Sequence, residues 1–89
     1  MVVTSARLTL IGKPGCHLCD AAREVITSVV AELGPGASVT VTELSIFDDP
    51  ELEERYVEEI PVVLINDRVH NIWRVDPQRL KAALMEATA

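Results

Sequence analysis

Aromatic residues, basic residues and long apolar runs are all scarce in this chain of 89 residues. Phe, Tyr and Trp occur once each, so aliphatic side chains have to build most of the core. The 8 basic residues are outnumbered by 14 acidic ones and form no cluster, which argues against a nucleic-acid partner because phosphate binding requires clustered Lys and Arg. No apolar run approaches the roughly 18 residues of a membrane span, so we expect no membrane partner.

Residues 1–12 also lack the basic segment and the long apolar segment of a signal peptide, so we expect a cytoplasmic protein. At this length, and with 48% hydrophobic residues, the sequence predicts a single domain over residues 1–89. Its core is expected to form without metal or disulfide staples. We expect the protein to act as a monomer.

The first half of the chain predicts a strand, a helix and a second strand. Residues 7–11 are β-branched and aliphatic, and residues 38–44 alternate Val and Thr, as in strands. Between them, apolar residues recur at the helix period from Leu18 to Leu33, and the sequence Gly-Pro-Gly at 34–36 ends the helix. With such short links, the two strands are expected to pair in parallel.

The second half predicts a short helix, a β-hairpin and a final helix. Asp49-Pro50 and Asp76-Pro77 each place an N-cap residue before a proline at the first helical position. Between these signals lies the apolar run 61–65, typical of a central strand, followed by a two-residue turn and a second strand. The order βαβ-α-ββα predicts an α/β sandwich with helices on both faces of a mixed four-stranded sheet.

The only two cysteines, Cys16 and Cys19, stand in the sequence KPGCHLCD, where the first strand has ended and the long helix begins. The free N–H groups and the positive end of the helix dipole stabilise a thiolate at Cys16. Lys13 and a protonated His17 add positive charge there. Cys19 follows one helical turn later, on the same side and less exposed, so the spacing gives an attacking and a resolving thiol, as in thiol–disulfide exchange.

A CxxC pair also has other uses, which the residues alone leave open. It could belong to a zinc site or to a soft-metal binding module or metallochaperone for Cu(I), but tetrahedral zinc needs two further ligands. The histidines, His17 in the loop and His70 on a predicted strand, have no helpful spacing, so we assign no metal site. Two inert buried thiols are the remaining alternative.

Pro61 stands at the entrance of the predicted central strand and provides a second clue. A CxxC that opens the first long helix, with an Ile-Pro before a hairpin and a last helix, resembles the thioredoxin fold. The segments KPGCHLC and YVEEIPVVLIND resemble the short glutaredoxin-like proteins, and the resemblance runs from about residue 7 to residue 84. It implies a thioredoxin-like three-layer α/β/α sandwich in which Pro61 is cis and faces the CxxC sulfur.

The resemblance also implies an activity and a set of site residues. Cys16 would be the nucleophile and Cys19 the resolving thiol of a thiol–disulfide oxidoreductase. Ile60 and Pro61 would form the substrate-docking edge, and Lys13 matches a basic residue that many glutaredoxins place before their motif. The implied substrate is a disulfide-containing protein or small molecule, and the electron donor is glutathione, an analogue or a reductase, with no bound cofactor.

The sequence departs from this family after the hairpin. Glutaredoxins have a Gly-Gly pair there, which lets the carboxylate of glutathione approach the backbone. Asn71 and Ile72 replace it, and Trp73 adds bulk. The use of glutathione therefore stays open, as does a catalytically silent binding domain of the same fold.

Overall fold

The computed structural model describes residues 5–89 and contains every predicted element in the predicted order. The strands are β1 (Ser5–Gly12), β2 (Ser38–Ser45), β3 (Val62–Ile65) and β4 (Arg68–Ile72). The helices are α1 (His17–Leu33), α2 (Pro50–Tyr56) and α3 (Pro77–Ala87). None of these helices is long and apolar enough to cross a membrane.

The strands form one mixed sheet in the order β2-β1-β3-β4. β1 pairs in parallel with β2, as predicted, and antiparallel with β3, which in turn pairs antiparallel with β4. Ile11, near the end of β1, is opposite Val62 at the start of β3. The loop that leaves β1 and the segment that enters β3 therefore lie at the same end of the sheet.

Helices cover both faces of this sheet because side chains alternate between the faces along each strand. On one face, β1 and β3 pack against α1 and α3, and the buried residues there are Ala6, Leu8, Leu10, Ala22, Ile26, Val29, Val63, Leu80 and Leu84. On the other face, α2 and the segment before it cover a smaller cluster, which comprises Ile11, Ile46, Tyr56 and Val62. The predicted three-layer α/β/α arrangement is confirmed.

The hairpin between β3 and β4 turns at Asn66 and Asp67, as predicted. Both have positive φ, of 51° and 68°, which Asn and Asp tolerate better than most residues and which a tight two-residue hairpin turn requires. The Arg7 backbone N–H donates to Asn66 Oδ1 at 2.9 Å, and the Arg7 guanidinium pairs with Asp67 at 2.7 Å. These contacts attach the turn to the start of β1.

Candidate functional site

Cys16 is the N-cap residue of α1 and is partly exposed. Its backbone is extended, with φ −102° and ψ 114°, and its Sγ accepts a hydrogen bond from the Cys19 backbone N–H at 3.2 Å. The sulfur thus takes the place that a Ser or Asp oxygen takes in other helix caps and lies against the free N–H groups of the first turn. The positive end of the α1 dipole therefore lies at this sulfur.

Cys19 is one turn further along α1 and is only 2% exposed. Burial raises the pKa of its thiol to about 11, and the hydrogen bond with Cys16 acts in the same direction. The backbone of Lys13 acts in the opposite direction. The two free thiols therefore differ: Cys16 is partly exposed at the N-cap of α1, whereas Cys19 is buried and its raised pKa keeps it protonated at neutral pH.

Two glycines shape the loop and its contact with α1. A Cβ on Gly12 would lie 2.8 Å from Cys19 Sγ and 3.2 Å from Cys19 Cβ, which is closer than side-chain atoms approach. Gly15 has φ +73°, a conformation that glycine adopts at little cost. Gly12 thus allows the buried thiol to pack against the end of β1, and Gly15 allows the turn that leads to Cys16.

The Ile60–Pro61 peptide bond is cis, as the resemblance implied. Pro61 is buried, and its carbonyl accepts a hydrogen bond from the Trp73 N–H at 2.8 Å. Within residues 5–89, neither the N–H nor the carbonyl of Ile60 takes part in a hydrogen bond. Because of the sheet register, this free backbone edge lies at the same end of the sheet as the cysteines.

Trp73 and Leu18 border this end of the sheet, and sequence patterns did not single them out as site residues. Trp73 has φ +65°, and its indole N–H donates to the Glu58 carbonyl at 3.2 Å. Leu18 was expected on the buried stripe of α1 but is 38% exposed. Together with Val75 they line a hollow of about 120 Å³ between the start of α1 and the segment after β4. In the sequence, the only indication that Leu18 lies at the site was its position between the two cysteines.

A second cavity, of about 240 Å³, reaches Cys19 beside β2, and Lys13 lies on its rim. Arg23 and Glu43 on its lining form an ion pair that was not predicted from the sequence. The Arg23 guanidinium makes a two-pronged contact with Glu43, at 2.7 and 2.9 Å, and also contacts Asp20 at 2.8 Å. The contact with Arg23 holds the pKa of Glu43 below its usual range. This network connects the first turns of α1 to β2.

The two histidines occupy different environments. His17 is exposed at the first position of α1, next to Cys16. His70 lies on β4, where burial is the main cause that lowers its pKa and the charge of Arg79 adds to it. In the part of the chain that the structure describes, no three His, Cys, Asp or Glu side chains come together in a group that could hold a metal ion.

The sequence profile of the Glutaredoxin-like domain family (DUF836) matches residues 7–85, which is nearly the whole chain. The chain belongs to this family. Thus the family resemblance seen in the sequence is confirmed. A glutaredoxin-like domain that carries the Cys16–Cys19 pair has a redox-type or thiol-related role.

Individual proteins agree with this assignment. A structural genomics target from X. campestris, XcR50, is 34% identical and superposes with a TM-score of 0.71 over 90% of this chain and 97% of that protein. The glutaredoxin-like protein YDR286C homolog of Dictyostelium discoideum is 30% identical over 85% of this glutaredoxin-like domain and 72% of its own length. Chloroplastic thioredoxin z, at 11% identity, shares the fold, with a TM-score of 0.74 over 94% of this chain and 79% of its own. The predicted thioredoxin-like fold is confirmed.

Proposed function

We propose that this protein is a thiol–disulfide oxidoreductase in which Cys16 attacks a substrate disulfide and Cys19 resolves the product. The observation that carries the proposal is the difference between the two thiols within one helical turn. Cys16 is accessible, and its sulfur lies against the N-terminal N–H groups of α1. Cys19 is buried, and its raised pKa keeps it protonated until the second step.

The first step is attack by the Cys16 thiolate on one sulfur of the substrate disulfide. The substrate S–S bond breaks, a mixed disulfide with Cys16 forms, and the other substrate sulfur leaves as a thiolate that takes up a proton. In the second step Cys19 loses its proton and attacks Cys16 Sγ. The mixed disulfide breaks, the Cys16–Cys19 disulfide forms and the second substrate thiol is released, so that the substrate gains the two electrons that the protein loses.

Lys13, His17, Ile60 and Pro61 are proposed to serve the substrate rather than the bond exchange. Lys13 and His17 are exposed on either side of Cys16 in the sequence and contribute positive charge when protonated. The free backbone of Ile60 provides a donor and an acceptor for an extended substrate, held in place by the buried Pro61. The oxidised protein is returned to the dithiol by a low-molecular-weight thiol or by a reductase.

Cysteine substitutions test the proposal with insulin and glutathione disulfide as substrates and dithiothreitol as reductant. Cys16→Ser should abolish turnover of both. Cys19→Ser should retain the first step and accumulate a mixed disulfide on Cys16, visible as an added mass in intact-protein mass spectrometry. Normal turnover by Cys16→Ser would refute the assignment of the nucleophile.

A redox titration of the unmodified protein distinguishes the alternatives. Alkylation and intact mass across a range of dithiol-to-disulfide ratios should show one reversible loss of both alkylatable thiols. Thiols that stay free at every ratio, with no substrate turnover, would indicate a silent binding domain. Thiols blocked by a co-purifying metal in stoichiometric amount would indicate a metal-binding module instead.

A further inference from the structure

We infer that the substrates are polypeptides that carry a bulky apolar residue and a carboxylate next to the reacting cysteine, and that Leu18, Trp73 and Arg74 recognise these groups. The inference rests on the proposed function and adds its substrate class. Three observations support it: the hollow between α1 and the segment after β4, the conformation of Trp73, and the positive charges of Arg74 and Lys13.

The hollow offers apolar surface at the start of α1, the helix that Cys16 caps. Leu18 lies between the two cysteines in sequence, and Trp73 is 54% exposed. They face the hollow with Val25 and Val75, and its volume of about 120 Å³ equals roughly four water molecules at about 30 Å³ each. A space of this size accommodates one aliphatic side chain, and its burial there is favourable because it removes apolar surface from water.

Hydrogen bonds to the segment that leads into β3 hold both the backbone and the ring of Trp73 in position. A φ of +65° is unfavourable for a bulky residue, yet the backbone N–H bonds to the Pro61 carbonyl at 2.8 Å and the indole N–H to the Glu58 carbonyl at 3.2 Å. The exposed ring is thus fixed before a ligand arrives. Fixed aromatic side chains recognise polypeptides well because they lose little conformational entropy on binding.

The free backbone of Ile60 adds a feature that only a chain with peptide groups can use. An extended polypeptide can pair with its N–H and carbonyl, and then place a neighbouring side chain against Trp73. Glutathione has peptide groups and carboxylates but no bulky apolar side chain. The hollow therefore favours a polypeptide over glutathione.

Charge supplies the second part of the recognition. Arg74 lines the same hollow, and Lys13 lies in the loop before α1. Within residues 5–89 neither takes part in an ion pair, as is also the case for Arg55, Arg68 and Arg79. The chain has a net charge of −6, and a cation on the hollow that has no acidic partner is complementary to a carboxylate on the substrate.

The test measures only the first step of exchange, with the reduced Cys19→Ser protein, which leaves Cys16 as its only thiol. The probes are short cysteine peptides bound through a disulfide to nitrothiobenzoate, whose release is coloured. The reference peptide has Leu and Glu beside its cysteine, one variant peptide has Ser in place of Leu, and another has Lys in place of Glu. Glutathione–nitrothiobenzoate disulfide serves as the small-molecule comparison.

Replacing the peptide's Leu by Ser should lower the second-order rate constant about tenfold, which corresponds to about 1.4 kcal/mol. Trp73→Gly, chosen because glycine accepts the positive φ, should remove most of this preference, and so should Leu18→Ser. Arg74→Glu should reverse the preference for Glu over Lys in the peptide. Met85→Ser is the matched control because Met85 lies on α3 and is as exposed as Trp73, at 54%.

Circular dichroism and urea unfolding establish that each variant is folded. Equal rates for the Leu and Ser peptides, or an unchanged preference in both Trp73→Gly and Leu18→Ser, would overturn the recognition inference while leaving the exchange chemistry intact. Equal rate constants for the reference peptide and for the glutathione probe would also overturn the recognition inference. No coloured release from any probe would overturn the proposed function, and this inference with it.

Discussion

Gly12→Ala tests the contact that positions the buried thiol of Cys19. The added Cβ would lie 2.8 Å from Cys19 Sγ and 3.2 Å from Cys19 Cβ. Neither atom can move far because Cys19 is almost fully buried where α1 packs against the end of β1. Overpacking of this kind costs about 1–3 kcal/mol, which lowers the free energy of unfolding of the reduced protein before any compensating effect is counted.

A stabilising effect acts in the opposite direction and has to be subtracted. Alanine restricts the unfolded chain more than glycine does, which contributes about 0.4–1 kcal/mol. Gly36→Ala measures this contribution because Gly36 has neither a neighbour within 4 Å of the added Cβ nor a positive φ. Gly36→Ala should therefore be neutral or slightly stabilising.

Urea unfolding under reducing conditions, followed by far-ultraviolet circular dichroism, measures both variants. For a small domain that loses about 1–3 kcal/mol per molar urea, Gly12→Ala should lower the midpoint by about 1 M. In a Cys19→Ala background the cost should fall by about 1 kcal/mol or more, because the sulfur that the new Cβ meets is gone. An equal cost in both backgrounds would refute the contact between Gly12 and Cys19 as its cause.

Further predictions concern charge and helix capping. Burial raises the pKa of Cys19 from 9.0 to about 11, so on raising the pH the unfolded state loses this proton before the folded state does. The free energy of unfolding, measured by urea titration, should therefore fall as the pH rises from 9 towards 11. Cys19→Ala should lack that decline. Arg23 lowers the pKa of Glu43, so their contact should stabilise the protein at neutral pH and be lost on acidification. Both side chains are about half exposed, so a double-mutant cycle with Glu43→Gln and Arg23→Gln should give an interaction free energy of at most about 1 kcal/mol. Asp76→Ala should cost about 1 kcal/mol in urea unfolding because its carboxylate accepts two N–H bonds at the start of α3, whereas Asp76→Asn should retain most of that stability.

The elements that the sequence predicted correctly have their signals within a few neighbouring residues. Asp49 and Asp76 were expected to cap helices, and each accepts backbone N–H bonds from the turn that follows it. The two-residue hairpin turn was predicted for the same reason, since Asn66 and Asp67 tolerate the conformation that the turn needs. Such contacts depend on local chemistry, and so they can be predicted before the fold is known.

The features that the sequence did not predict depend on residues that are distant in the chain or on where neighbouring elements end. The helix period placed Leu18 on the apolar stripe, but it does not show where the elements that cover this stripe stop. The contact of Gly12 with Cys19 requires the relative position of β1 and α1. No residue preference predicts a positive φ for Trp73, which is stabilised by bonds to the carbonyls of Glu58 and Pro61. The assignment of Ile60 and Pro61 to the docking edge came from the family resemblance and remains a prediction.

The unequal size of the two cores has a consequence for the dynamics of the proposed substrate edge. Among residues 5–89, a cluster of nine buried residues joins the sheet to α1 and α3, and a cluster of four lies on the face that the short α2 covers. Local opening costs less free energy where fewer apolar contacts are broken, so amide hydrogens in α2 should exchange with deuterium faster than those in the middle of α1. Residues 57–60 connect α2 directly to Pro61, so their amide hydrogens are also expected to exchange faster than those in the middle of α1. The expected pattern is thus a slowly exchanging α1, which carries the two thiols, next to a faster-exchanging segment at the proposed substrate edge.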